Sequence, residues 1–158
     1  MRDKLHSPEK AKQPMLFEGM ERRYGLSPTD IDAFVEYSGR LFIYFEGKRK
    51  GADMLKGQRM SFEHICESYY KPDVFPIKDR KYFAWAIVFE HEVPDEEGVM
   101  VKDQYVRKVY SSVNPDWVSP DSDEVIPKFS LDLDGKINVL EAQKQIEDWC
   151  RENNIAID

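Results

Sequence analysis

The sequence has few of the features that mark membrane, secreted or disulfide-rich proteins. It contains no run of about 18 apolar residues, so no membrane span is expected. Residues 1–14 are charged and lack an apolar segment, which predicts a flexible N-terminal tail and not a secretory signal. The spacing of Cys66 and Cys150 fits neither a metal knuckle nor a disulfide framework. A reduced, cytoplasmic protein is therefore the expected context.

Several common catalytic signatures are also missing from the chain. The three histidines, His6, His64 and His91, are scattered, and no Cys–His or Ser–His arrangement accompanies them. There is no glycine-rich phosphate loop, no zinc-ligand spacing and no internal repeat. The remaining candidates for chemistry are acidic and basic side chains.

The charge of the chain is negative overall and unevenly distributed. The net charge is −7, which argues against indiscriminate nucleic-acid binding. Residues 1–72 carry 13 Lys and Arg against 11 Asp and Glu, a net of +2, whereas residues 73–158 carry 10 against 19, a net of −9. A nucleic-acid footprint would belong to the cluster formed by Arg40, Lys48, Arg49, Lys50, Lys56 and Arg59. The alternative is that these side chains only solvate a surface.

The clearest chemical pattern lies in a predicted β-hairpin over residues 28–51. Two apolar, β-prone runs flank a turn at residues 38–40. Asp30 and Asp32 open the first strand, and Glu46 lies near the end of the second. Folding the chain at the turn is expected to bring Asp32 beside Glu46.

A lysine completes this group of charges. Lys48 follows Glu46 by two residues and so shares its strand face, because side chains alternate along a strand. Two carboxylates can hold Mg²⁺, and an ammonium group beside them can orient a metal-bound water or stabilise a phosphate. The alternative is a solvated strand end. The abrupt change from the apolar residues 41–45 to a charge at Glu46 favours a site.

The remaining pattern predicts a single α/β domain over residues 15–158, with a central four-stranded mixed sheet flanked by helices. The predicted elements around the hairpin are helices at 15–24, 54–70 and 138–153 and strands at 81–93 and 103–113. The predicted apolar contacts of the middle helix are Met54, Leu55, Met60, Phe62, Ile65 and Tyr69.

Residues 130–141 imitate a calcium-binding EF-hand loop, with acids and a glycine at the matching positions. However, Ser130 stands where the first acidic ligand is expected, and no second loop of this kind exists. A turn at Asp134-Gly135 followed by a helix N-cap at Asn138, with Glu141 in a capping box, explains the same residues better. We therefore expect a turn and a helix start here.

The hairpin resembles the PD-(D/E)XK nuclease superfamily. Asp32, followed on the next strand by Glu46-Gly47-Lys48, is similar to the metal-binding Asp and the Glu-x-Lys of that family. Gln58, just inside the following helix, looks like the Gln found there in several branches, including archaeal Holliday-junction resolvases. The hairpin is also similar to that of small phage-encoded members. The resemblance covers roughly residues 15–90, about half of the chain.

This resemblance implies a restriction-endonuclease-like core and metal-dependent hydrolysis of nucleic acid, with DNA as the expected substrate. The implied ligands of Mg²⁺ or Mn²⁺ are Asp32, Glu46, the Gly47 carbonyl and Glu18, with Glu21 as second choice for the last. Lys48 would position the attacking water. The residues expected to contact nucleic acid are Gln58, Arg49, Lys50 and Arg59. A homodimer is compatible with the family, and a phage-encoded member would act in the host cytoplasm.

Two other functions remain open on the sequence. The first is a nuclease-like binding module that does not cut, and that contacts a protein partner through its acidic C-terminal half. In that case the acidic segments at 95–97 and 121–124 would mimic nucleic acid toward a basic partner. The second is a small structural phage protein.

Overall fold

The computed structural model describes residues 31–68 and 82–158. Their elements are β1 (Ala33–Tyr37), β2 (Leu41–Arg49), α1 (Lys56–Glu67), β3 (Phe83–His91), β4 (Tyr105–Ser111) and α2 (Val139–Glu152), with a 3₁₀ turn at Val101–Asp103. The predicted tail and first helix, together with Glu18 and Glu21, lie outside the described residues. None of the helices in the described part is long and apolar enough to cross a membrane.

The predicted hairpin is confirmed, with β1 and β2 paired antiparallel. Ser38 and Gly39 both have positive φ, at 51° and 68°, and the Arg40 N–H donates to the Tyr37 carbonyl over 2.8 Å. Positive φ at both central positions is the signature of a type I′ turn, whose twist matches that of the flanking strands. The turn closes a three-residue loop, 38–40, which sets Tyr37 opposite Leu41.

The described strands form a four-stranded mixed sheet in the order β1-β2-β3-β4. Helix α1 connects β2 to β3, which pair parallel, and β4 returns antiparallel to β3. This confirms the predicted α/β class and the mixed sheet. Because β2 and β3 are parallel, their C-terminal ends lie at the same edge, with Lys48 opposite Glu90 and Arg49 opposite His91.

The two helices cover opposite faces of the sheet. Leu41, Ile43 and Phe45 of β2 pack in a core with Ile146 and Cys150 of α2. The other face holds a smaller core made by Phe62 and Cys66 of α1 with Ala84, Ala86 and Tyr110. Successive strand residues point to opposite faces, so β2 residues 42, 44, 46 and 48 belong to the α1 side.

A β-bulge interrupts the outer strand β4. The partners run Val88 to Lys108 and then Phe89 to Val106, so Arg107 is the extra residue. As a result Val106 and Val109 both reach the core under α2, although strict alternation would place them on opposite faces. The strand was predicted, but the bulge was not.

Two of the predicted contacts of α1 are wrong. Leu55 and Met60 are 73% and 38% exposed, whereas Phe62 and Cys66 are the buried residues of this helix. The helix begins at Lys56, so Leu55 occupies the N-cap position ahead of its first turn. Tyr69 lies beyond the described part of the chain.

The segment that imitates an EF-hand loop folds as the expected turn and helix start. The Gly135 N–H donates to the Asp132 carbonyl over 3.0 Å, and Gly135 has a φ of 72°. Asp132 Oδ1 accepts from the backbone N–H groups of Asp134 and Lys136, each over 2.9 Å. Asn138 caps α2 by accepting from the Glu141 N–H over 2.8 Å, so the predicted cap is confirmed.

Candidate functional site

Glu46 is a buried acid near the end of β2. It is only 3% exposed, and it follows the apolar residues that fill both cores. Because it lies on the α1 side of the sheet, the first turns of α1 can reach it, and they bring Gln58 to it. Charged side chains are rarely buried unless they are paired, so the surroundings of Glu46 carry information about its role.

Glu46, Lys48 and Gln58 form a closed triangle of polar contacts. Lys48 Nζ lies 3.0 Å from Glu46 Oε1 and donates to Gln58 Oε1 over 2.7 Å. Gln58 Nε2 donates to the same Glu46 Oε1 over 2.9 Å. Each side chain is therefore oriented by the other two. The ammonium group is held at a defined point beside the buried carboxylate.

The second carboxylate oxygen of Glu46 lacks such support. Within the described residues Oε2 is buried without a hydrogen-bond partner. Burial raises the pKa of Glu46, and the charge of Asp32 adds to the rise, while Lys48 and Gln58 oppose it. An unsatisfied buried oxygen is costly, because the carboxylate has lost water and gained nothing on that side.

Asp32 directly precedes β1, one residue beyond the paired part of the hairpin. Ala33 pairs with Phe45, so the next step of the register sets Asp32 opposite Glu46. Asp32 Oδ2 accepts from the Gly47 N–H over 2.7 Å. The Asp32 carboxylate therefore accepts the Gly47 N–H. In a hairpin that continued further, this N–H would donate to the backbone of residue 31. This contact fixes the Asp32 carboxylate at the Gly47 backbone, close enough for its charge to raise the pKa of Glu46.

Close packing explains why a glycine, Gly47, stands between Glu46 and Lys48. A Cβ atom on Gly47 would lie 2.7 Å and 2.8 Å from two atoms of the Phe89 ring, and 3.4 Å from Asp32 Oδ2. Phe89 is itself buried. A side chain at position 47 would displace this ring, so glycine allows Phe89 and the Asp32 carboxylate to lie against β2.

The basic residues predicted to bind nucleic acid are in contact with acids of the same chain. The ion pairs are Arg49–Asp95, Lys50–Glu92 at 3.8 Å and Arg59–Glu63 at 3.5 Å. The fourth predicted contact residue, Gln58, belongs to the triangle described above. All three basic side chains remain substantially exposed.

Arg107 is a functional candidate that the sequence did not indicate. Its guanidinium donates to the Ala52 carbonyl and to Asp53 Oδ1, the latter over 2.5 Å. These contacts connect β4 to the loop between β2 and α1. No local pattern could reveal them, because the partners are more than 50 residues apart and Arg107 gains its direction from an unpredicted bulge.

The described residues show no full cluster of metal-ligating side chains. They hold no group of three or more His, Cys, Asp or Glu side chains that could hold a metal ion. Asp32 and Glu46 are the two carboxylates of the predicted ligand group, and Gly47 separates Glu46 from Lys48 in the sequence. Hard cations such as Mg²⁺ prefer such oxygens and retain several waters, so two carboxylates suit this donor chemistry.

Comparison of the chain with protein-family models, with curated proteins and with solved structures finds no match. The fold defines an α/β protein with a mixed sheet, and its charged residues meet at the C-terminal edge of the parallel strands. A function is therefore proposed from these contacts and from the chemistry that they allow.

Proposed function

We propose that the protein is a metal-dependent nuclease with a restriction-endonuclease-like core, related to the PD-(D/E)XK superfamily. The element order supports this proposal. A hairpin carries Asp32 on one strand and Glu46-Gly47-Lys48 on the other, a crossover helix carries Gln58, and a parallel strand follows.

The observation that carries the proposal is the buried carboxylate of Glu46 with its unsatisfied Oε2. A second acid, Asp32, raises the pKa of Glu46 by its charge and so disfavours the ionised form. A divalent cation between these groups would offset both costs, since it supplies positive charge and replaces lost water. The donor set fits a hard ion such as Mg²⁺ or Mn²⁺.

Each residue of the site then has a defined task. When bound, the metal would act as a Lewis acid on the phosphate and lower the pKa of an attacking water. Asp32 and Glu46 would hold it, with the Gly47 carbonyl as a further oxygen donor. The Lys48 ammonium would hold the attacking water or a phosphate oxygen, and Gln58 would keep Lys48 in place.

Nuclease activity can be tested with linear, circular, single-stranded and branched DNA, in Mg²⁺, Mn²⁺ or EDTA. We expect cleavage of at least one form by the wild type in the presence of metal. Lys48→Met and Glu46→Gln should each lower the rate by at least about 100-fold. The control Asp121→Asn changes an exposed acid outside the site and should cut like wild type. If Lys48→Met cleaves DNA as fast as the wild type, Lys48 has no catalytic role.

A non-cutting binding module is the second candidate. It is favoured by one observation: Asp32 Oδ2 and Glu46 Oε1 already accept hydrogen bonds from Gly47 and Gln58, so both acids also support the local structure. If DNA stays intact under every condition above, while the protein binds DNA or a protein partner, this second function is the correct one.

A further inference from the structure

An acidic turn follows β3 beside the candidate site. It spans residues 92–97 and contains Glu92, Asp95, Glu96 and Glu97. The Glu97 N–H donates to the Pro94 carbonyl over 3.0 Å and closes the turn. Because β2 and β3 are parallel, the turn leaves the sheet at the same edge as the charged end of β2.

The acidic turn contacts two of the basic residues predicted to bind nucleic acid. Arg49 Nη2 donates to Asp95 Oδ1, and Lys50 Nζ lies 3.8 Å from Glu92 Oε1. The Lys50 N–H also donates to the His91 carbonyl over 2.9 Å, which extends the contact between the two strand ends. The strand ends therefore bring opposite charges together.

These contacts can open. The side chains of Arg49 and Asp95 are 48% and 92% exposed, and the Lys50–Glu92 pair is also exposed. Exposed ion pairs contribute little to stability and weaken with salt. A phosphodiester backbone offers the same kind of anionic oxygen to the same cations, and so it must displace the carboxylates to reach them.

We infer that the acidic turn is an autoinhibitory element that competes with nucleic-acid phosphates for Arg49 and Lys50. This inference rests on the proposed function, because it requires nucleic acid as the substrate. With the turn in place, two cations beside the site are neutralised and an approaching polyanion meets four nearby acids. Displacement of the turn exposes both cations and removes part of this repulsion.

The test compares two variants with the same change in charge. Glu92→Gln with Asp95→Asn removes both pairing acids. The control, Asp121→Asn with Glu124→Gln, neutralises two exposed acids after β4, whose C-terminal end lies at the opposite edge of the sheet. Binding of fluorescein-labelled 20-nucleotide single-stranded and duplex DNA is measured by anisotropy in EDTA, which prevents metal-dependent cleavage.

The variant of the acidic turn should bind DNA about fivefold to tenfold more tightly than wild type at low salt. The slope of log affinity against log salt concentration should be larger in magnitude by about 1 to 2, because two more cations contact phosphates. The control should remain within about twofold of wild type. Adding Arg49→Gln and Lys50→Gln to the variant of the acidic turn should cancel the gain.

An equal gain in the control would mean that only net charge matters, and the inference would be wrong. If the wild type cuts DNA with metal but the variant of the acidic turn binds no more tightly, the inference fails and the proposed function stands. If none of the proteins binds or cuts nucleic acid, both are wrong. Melting temperatures of all the proteins establish that each one is folded.

Discussion

Lys48 Nζ lies 3.0 Å from Glu46 Oε1, and Gln58 contacts both side chains. The ammonium group is thus the main positive charge that the described residues supply to a buried acid. One carboxylate oxygen has two donors and the other has none. The charge of Glu46 therefore depends on Lys48 and Gln58 at one oxygen and is unsupported at the other.

Replacing Lys48 with methionine should destabilise the protein and make its stability depend on pH. Without the ammonium, the pKa of Glu46 in the folded state rises further above its ordinary value of 4.5. The folded state then holds a proton that the unfolded state releases, so the free energy of unfolding falls as pH increases above about 4.5. We expect a loss of about 2 kcal/mol at pH 8 and less at pH 5, measured by urea denaturation.

The double variant Glu46→Gln with Lys48→Met serves as the control for this prediction. It removes both charges, so it should recover most of the stability and lose the additional pH dependence. A Lys48→Met variant that is equally destabilised at pH 5 and pH 8 would show that the ammonium does not stabilise a charged Glu46.

Mg²⁺ or Mn²⁺ should raise the melting temperature of the wild type measured in EDTA. The cation would offset the repulsion between Asp32 and Glu46, and binding to the folded state alone stabilises it. Asp32→Asn and Glu46→Gln should each abolish the increase, whereas Asp121→Asn should keep it. Differential scanning fluorimetry at increasing metal concentration measures the effect. A wild type that shows no shift at millimolar metal would argue strongly against a metal site.

Gly47→Ala should destabilise the protein by about 1–3 kcal/mol, because the new methyl group would overlap the ring of Phe89. The Asp32 carboxylate is also close to this position, so metal binding should weaken as well. Gly57→Ala is the matched control, since nothing lies within 4 Å of its Cβ position. That change lies in α1 and should be neutral or slightly stabilising. Similar effects of the two substitutions on chemical denaturation would contradict the packing explanation.

Tyr37 connects β1 to α2, and its removal should weaken this connection. Its hydroxyl donates to Glu147 Oε1 and accepts from Gln143 Nε2, each over 2.6 Å. Tyr37→Phe should therefore cost about 1–2 kcal/mol near neutral pH. Burial and the hydrogen bond to Glu147 raise the pKa of Tyr37 to about 12.

The pH dependence of this variant has a defined sign. An unfolded tyrosine ionises near pH 10, before the folded one, so Tyr37 loses its contribution as pH rises from about 10 toward 12. The difference between wild type and Tyr37→Phe should shrink over that interval. A difference that stays constant up to pH 11.5 would exclude the hydroxyl as the titrating group.

The hairpin was predictable because its signals are local. Ser38 and Gly39 adopt the positive φ values of a tight turn, and the register follows from counting outward from the three-residue loop 38–40. The position of Asp32 opposite Glu46 is a consequence of that count. The start of α2 was predictable for a similar reason, since Asn138 and Glu141 are only three residues apart.

Contacts between distant segments were not predictable in this way. The bulge at Arg107 depends on how β4 meets β3, and the exposure of Leu55 depends on where α1 begins. The burial of Glu46 was only suggested by the apolar residues before it. It depends on α1 packing over β3 and β4 on that face of the sheet, from where Gln58 reaches Glu46, and these are tertiary contacts.

The sequence by itself determined the α/β class, the hairpin register, the shared face of Glu46 and Lys48 and the cap of α2. These features follow from turn geometry and from side-chain alternation within short segments. Only the tertiary structure decided that Asp95 contacts Arg49, at a separation of 46 residues. The parallel pairing of β2 with β3 brings their C-terminal ends to one edge of the sheet. No local sequence pattern in either strand predicts that these two ends lie side by side.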